Sequence, residues 1–169
     1  MANTFELIAS STVGSGGAAN IDFTSIPATF TDLCLKYSTR STSAGDDYLG
    51  QYIKFNTATS PFTYRHLYGT GSAAGSGNGS TNLGSYTQGG LTTANTFTNG
   101  EIYIPNYAGS NNKSFSSDST VENNATLGFA DLLAGLWSNT SAINAISIYP
   151  QSGNFAEHST AYLYGVSNA

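Results

Sequence analysis

Apolar and polar residues alternate with period two along most of the chain, which is the signature of half-buried strands. In NIDFTS, Ile21 and Phe23 share one face; in FTDLCLKYS, Leu33, Leu35 and Tyr37 do so. TFELIAS places Phe5 and Leu7 on one side, with Ala9 next in line. The same grammar recurs in YLGQYIKFN, FTYRHLYGT, GEIYIPNY (Ile102 and Ile104), INAISIYP and TAYLYGV, each bounded by Gly, Pro, Asn or Ser. About eight such segments predict an all-β chain: a single antiparallel β-sandwich spanning residues 1–169, with under about 10% helix. LGFADLLAGLW (residues 127–137) fits a short helix or a bulged strand equally well, because two glycines interrupt its helical spacing. TGSAAGSGNGSTN (residues 70–82) has too little side chain to bury and predicts a flexible loop between strands. Residues 106–124 are polar, yet Phe115 and Val121 suggest that a strand crosses them.

Composition sharpens this picture. Only 9% of the 169 residues are charged, far below the roughly 25% of ordinary soluble domains. Hydroxyls and amides carry the polar share, with 44 Ser plus Thr and 16 Asn. The net charge is −5, and Lys36, Arg40, Lys54, Arg65 and Lys113 are scattered, so no basic stripe exists to follow a phosphate backbone and no direct nucleic-acid contact is expected. No segment has the apolar length of a membrane span, and MANTFELIASSTV lacks the basic and apolar regions of a signal peptide. Cys34, the lone cysteine, falls within the apolar alternation and is expected to be a buried structural thiol.

Chemistry is sparse. His66 and His158 stand 92 positions apart without a second histidine at ligand spacing, and are expected to be ordinary surface or interface residues. Asp46 and Asp47 fall in a turn setting that suits solvated acids or a calcium contact, without EF-hand spacing. The glycines of residues 70–82 lack the Lys-Ser/Thr ending of a phosphate loop, and no G-x-S-x-G elbow is present. The expectation is a non-enzymatic protein with no catalytic residue, cofactor or metal. Arg40 and Arg65 lie beside aromatics; each either reaches an acid across a sheet edge or subunit boundary, or is exposed and unpaired.

The stretch VGSGGAANIDFTSIPATFTDLCLKYSTRS (residues 13–41) resembles an S-x-G-A-x-x-I-x-F-x-x-I-P-x-x-[YF]-x-D-L run found in structural proteins of tailed bacteriophages. HSTAYLYGV near the end and IYIPNYAGSNNKSF in the middle resemble further elements of those proteins, whereas the Gly-rich centre matches nothing in them. The resemblance implies a jelly-roll-like sandwich in a virion: a capsid decoration (cement) protein on the outer capsid surface, or a head-fibre or tail-associated module. The decoration reading implies the major capsid protein as partner, a homotrimer matching local three-fold sites, and neither nucleic acid nor membrane. Its alternative is a receptor- or glycan-binding head-fibre or tail module. Low charge and many tyrosines suit permanent contact, and Tyr37, Arg40, Arg65, Tyr107, Trp137, Tyr162 and Tyr164 are the candidate interface residues.

Overall fold

The computed structural model describes residues 4–123 and 128–167. Twelve strands form: β1 (Phe5–Thr12), β2 (Ile21–Phe23), β3 (Asp32–Thr39), β4 (Tyr48–Phe55), β5 (Phe62–Gly69) and β6 (Ala74–Gly79), then β7 (Leu83–Gln88), β8 (Thr98–Ile104), β9 (Lys113–Glu122), β10 (Gly128–Trp137), β11 (Ile146–Pro150) and β12 (Thr160–Val166). They build an eight-stranded sheet in the order β1-β12-β3-β8-β9-β10-β5-β6 and a four-stranded sheet in the order β2-β11-β4-β7. Every strand pair is antiparallel. The two sheets pack in a sandwich-like arrangement, and no helix occurs among the described residues.

The alternating residues supply the core. Ile21, Phe23, Leu33, Leu35, Tyr37, Ile102 and Ile104 are all buried as the pattern predicts, and so is Cys34. Around Phe55 the core is aromatic, with ring centroids 5.6 Å from Phe62, 5.7 Å from Phe115 and 5.6 Å from Trp137. A polar layer crosses the interior beside it. Thr39 Oγ1 donates to Gln51 Oε1 (2.8 Å), Gln51 Nε2 to Ser85 Oγ (3.0 Å), and Thr87 Oγ1 to Thr39 Oγ1 (2.9 Å). Pairing these buried groups with one another avoids the cost of leaving them unsatisfied.

Four expectations need correction. Twelve strands replace about eight, since several are short or lack apolar alternation. Residues 128–137 of LGFADLLAGLW hold strand β10 in unbroken register, neither a helix nor a bulged strand, and Leu127 lies outside the described residues: Phe129, Leu133 and Trp137 point inward, and Gly135 is needed because the Phe115 ring lies where its side chain would be. Phe5 and Leu7 share a face, 49% and 51% exposed, but Ala9 leaves it: a register irregularity between Leu7 and Ala9 packs Ala9 against the core. The Gly-rich segment is not a loop. Thr70 to Ala73 close a tight hairpin, with Gly71 at positive φ (82°) and Thr70 N–H donating to Ala73 O (2.8 Å), and β6 follows in unbroken register with β5. Side chains from β5 furnish what β6 lacks: Tyr68 lies across Gly75, His66 across Gly77 and Tyr64 across Gly79.

Candidate functional site

Strands β9, β10, β5 and β6 form one wing of the large sheet, and its two faces differ in chemistry. Register assigns the outer face. Ser116, Ala134, Arg65 and Asn78 stand in one row; Asp118, Leu132, Leu67 and Ser76 in the next; Thr120, Ala130, Gly69 and Ala74 in a third. Leu67 and Leu132 are direct cross-strand partners, 60% and 58% exposed, with Ser76, Ala130, Ala134 and Gly69 among their neighbours. Two shallow hollows of about 500 and 430 Å³ flank this pair. Arg65 and Asp118 are the charged side chains of this patch. The middle of the same face carries the Lys36–Glu101 ion pair (2.5 Å), and the far edge carries exposed Phe5, Leu7 and Tyr162.

The inner face of the wing is aromatic. Phe129 stacks on Tyr48 (4.2 Å between centroids) and on Tyr68 (5.8 Å), and His66 stacks on Tyr86 (6.0 Å). Beneath these rings His66 Nδ1 lies 2.6 Å from Asp131 Oδ1, with the histidine side chain 9% exposed and the carboxylate fully buried. Asp131 Oδ2 has no hydrogen-bond partner among the described residues. Burial raises the Asp131 carboxyl above its ordinary range, and the His66 contact opposes that rise. His66 is therefore not the ordinary surface or interface residue expected from its sequence setting, which carries no sign of this pair. Its two members are 65 positions apart and meet only through the β5–β10 register.

The candidate interface residues disperse. Tyr37, Tyr107 and Trp137 are buried in the core at 2%, 0% and 1% exposure, so they support the sandwich and present no surface to a partner. Tyr162 is exposed and Tyr164 half-buried on β12, at the sheet end opposite the leucine pair. Arg65 is exposed, and its guanidinium donates to Tyr64 O (2.9 Å), the carbonyl of the residue before it.

Arg40 meets neither expectation. It is buried without an acidic partner among the described residues: Nη1 donates to Thr92 Oγ1 (2.7 Å), Thr93 O (3.0 Å) and Thr96 O (3.1 Å), and Nη2 to Thr92 O (2.9 Å) and Gly90 O (3.3 Å). The cation therefore organises the connection between β7 and β8, and burial lowers its pKa. Lysine has a single donor head and lacks the planar fork. Arg40→Lys should cost about 1–3 kcal/mol in chemical denaturation, and should speed amide exchange across residues 89–97. Unchanged exchange there would refute the anchoring role. Lys113 acts similarly, buried with Nζ donating to Gly109 O (2.6 Å), Asn111 O and Thr140 O (3.2 Å).

Asp46 Oδ2 accepts from Ser43 Oγ (2.8 Å) within its turn. Among the described residues no group of three or more His, Cys, Asp or Glu is arranged to hold a metal ion. Burial pushes the Cys34 thiol up to about 12, away from nucleophilic use. Compared with known proteins, the chain matches no family model, no curated protein and no solved structure.

Proposed function

We propose that this protein is a non-catalytic structural component of a tailed-phage particle, a decoration protein that docks on the assembled capsid lattice and stabilises it. The observation that carries this reading is the Leu67–Leu132 pair on the outer wing, an exposed apolar contact bordered by Ser, Ala and Gly, with Arg65 and Asp118 as the charged groups beside it. The sequence resemblance at residues 13–41 supplies the context. Strand nesting supports the jelly-roll part of the reading: β1 pairs with β12, β2 with β11, β3 with β8 and β4 with β7, so the first half of the chain folds back along the second. Assembly as a trimer belongs to the same proposal, because a closed cyclic oligomer repeats each small contact at a three-fold lattice site.

The test is add-back to particles stripped of the protein. Burying each leucine contributes about 1.5–3 kcal/mol, so Leu132→Asp should weaken binding to particles by about 10–100-fold per contact. It should also abolish the rise in DNA-release temperature while leaving the circular dichroism spectrum intact. Light scattering should give a mass near three chains. Undiminished particle binding by Leu132→Asp would remove the outer wing from the reading. A second reading, glycan binding, draws on the half-buried rings of Tyr48, Tyr52, Tyr64, Tyr68, Tyr86 and Tyr149, since aromatic faces suit sugars. Retention on immobilised host polysaccharide, with none on particles, would favour it.

A further inference from the structure

Four strands end the two sheets: β1, β6, β2 and β7. Edge strands expose unpaired N–H and C=O groups, and folded proteins usually blunt them with charge, brevity, bulges or cover. Three of these edges are blunted. β1 carries Glu6 and a register irregularity, and β2 has three residues. β7 is capped by serines of the other sheet: Ser117 Oγ donates to Gly84 O (2.5 Å), and Tyr86 N–H donates to Ser119 Oγ (3.3 Å).

β6 has no such protection. Ala-Gly-Ser-Gly-Asn-Gly contains no charge or proline, and its pairing with β5 is regular from Ala74 to Gly79. The hydrogen bond of the Thr70–Ala73 pair fixes which groups face outward. Ladder bonds alternate along an antiparallel pair, so Gly75, Gly77 and Gly79 bond to β5, while Ala74, Ser76 and Asn78 aim N–H and C=O at the free edge. A second observation marks the same edge. With Nδ1 held by Asp131, the His66 imidazole lies over Gly77 and presents its Nε2 beside that glycine.

The geometry points to β6 as a site for β-strand addition, taking an extended segment of another protein that carries bulky apolar side chains at alternate positions. Unpaired main-chain donors and acceptors at strand spacing are complementary to one class of ligand, an extended polypeptide. The glycines select the kind of strand. Directly opposed residues share a face, so residues opposite Gly75, Gly77 and Gly79 lie on the inner side beside the rims of Tyr68, His66 and Tyr64. Large side chains there gain aromatic contact without meeting a neighbour from β6. A hydroxyl or amide opposite Gly77 would also reach His66 Nε2. A second copy of β6 is the poorer occupant, because cross-strand side-chain pairs supply much of the stability of sheet pairing and two glycine-rich strands have few to offer. The inference stands on this edge and does not depend on the capsid reading.

The probe is a displayed library of random decapeptides, panned on the whole chain. Enriched peptides should alternate bulky apolar with polar residues, and their binding should protect the Ser76 and Asn78 amides from exchange. Ser76→Pro and Asn78→Pro each delete one outward N–H that bonds nothing among the described residues, a position where edge strands accept proline. Each should keep the wild-type circular dichroism spectrum and weaken the enriched peptides by at least about tenfold. Using both variants guards against one of them folding poorly. Failure to enrich any alternating peptide overturns the proposal, as does equal binding to both variants. A wild-type dimer that Ser76→Pro converts to monomer would overturn the choice of occupant, showing that β6 pairs with its own copy.

Discussion

Phe55→Ala is expected to lower the free energy of unfolding by about 3–5 kcal/mol, the range for emptying a large aromatic site in a close-packed core. Phe55 is fully buried, and it touches Phe62 and Phe115 on the large sheet as well as Trp137. Its neighbours cannot collapse into the space. Trp137 is stacked against Phe62 at 20° between planes, and Phe115 is seated over Gly135, so closing the void would break those contacts. Phe55→Leu keeps most of the volume and should cost clearly less. Urea denaturation followed by tryptophan fluorescence reads both the stability and the environment of Trp137. Equal losses for the two substitutions would show that the ring contacts, and not the volume of the void, set the cost.

His66→Ala should cost a comparable amount, about 3–5 kcal/mol at neutral pH, because it strands the Asp131 carboxylate in the interior. The pH dependence separates this from simple loss of packing. Burial already raises the Asp131 pKa, and the His66 contact is what restrains the rise. A carboxyl raised above its unfolded value contributes stability below the unfolded pKa and loses it as pH climbs through the folded one. Removing His66 enlarges that rise, so the deficit of His66→Ala should be greatest near neutrality and shrink as acid protonates Asp131. Adding Asp131→Asn removes the charge and should recover much of the neutral-pH loss in a double-mutant cycle. A deficit independent of pH would mean that the imidazole acts here as a packed ring alone.

What the sequence disclosed and what it hid follow from where the information resides. Ile21 with Phe23, and Leu33 with Leu35, announce their faces because one side of each strand is apolar and the interruptions are brief. In β10 both sides are apolar: Phe129, Leu133 and Trp137 face in, and Ala130, Leu132, Ala134 and Leu136 face out. Period two is invisible there, and a helix fitted as well. β6 hid for the opposite reason. Its period is kept by glycine at every second position, a pattern without hydrophobicity, and the side chains that complete it belong to β5. Gly71-Ser72 between Thr70 and Ala73 was the readable hairpin signal in that stretch.

The candidate site was less legible than the fold. Exposure depends on what the second sheet covers, so Tyr37 and Trp137 could not be distinguished from surface aromatics by composition. Nor does any local pattern tell an arginine that its partners will be the carbonyls of residues 90–96. Leu67 stands in an alternating segment and Leu132 in one without visible period two, and their meeting is a fact of register between strands far apart in the chain.

The nesting of the first strands against the last also governs how the chain can acquire its shape during synthesis. Phe5 stands opposite Val166 and Ile21 opposite Ile148, so β1 and β2 leave the ribosome long before their only sheet partners exist. Until then β3 also lacks β12, and the apolar faces of the early strands have no finished core to enter. The exceptions pair strands consecutive in the chain: the β5–β6 hairpin, closed by a two-residue turn, and the β8–β9 and β9–β10 pairs can form within their own sequence. Folding is therefore largely deferred to release of the C-terminal strands, with the slow closure typical of long-range β pairing. The nascent chain spends that interval with unpaired strands open to chaperones and to neighbouring copies.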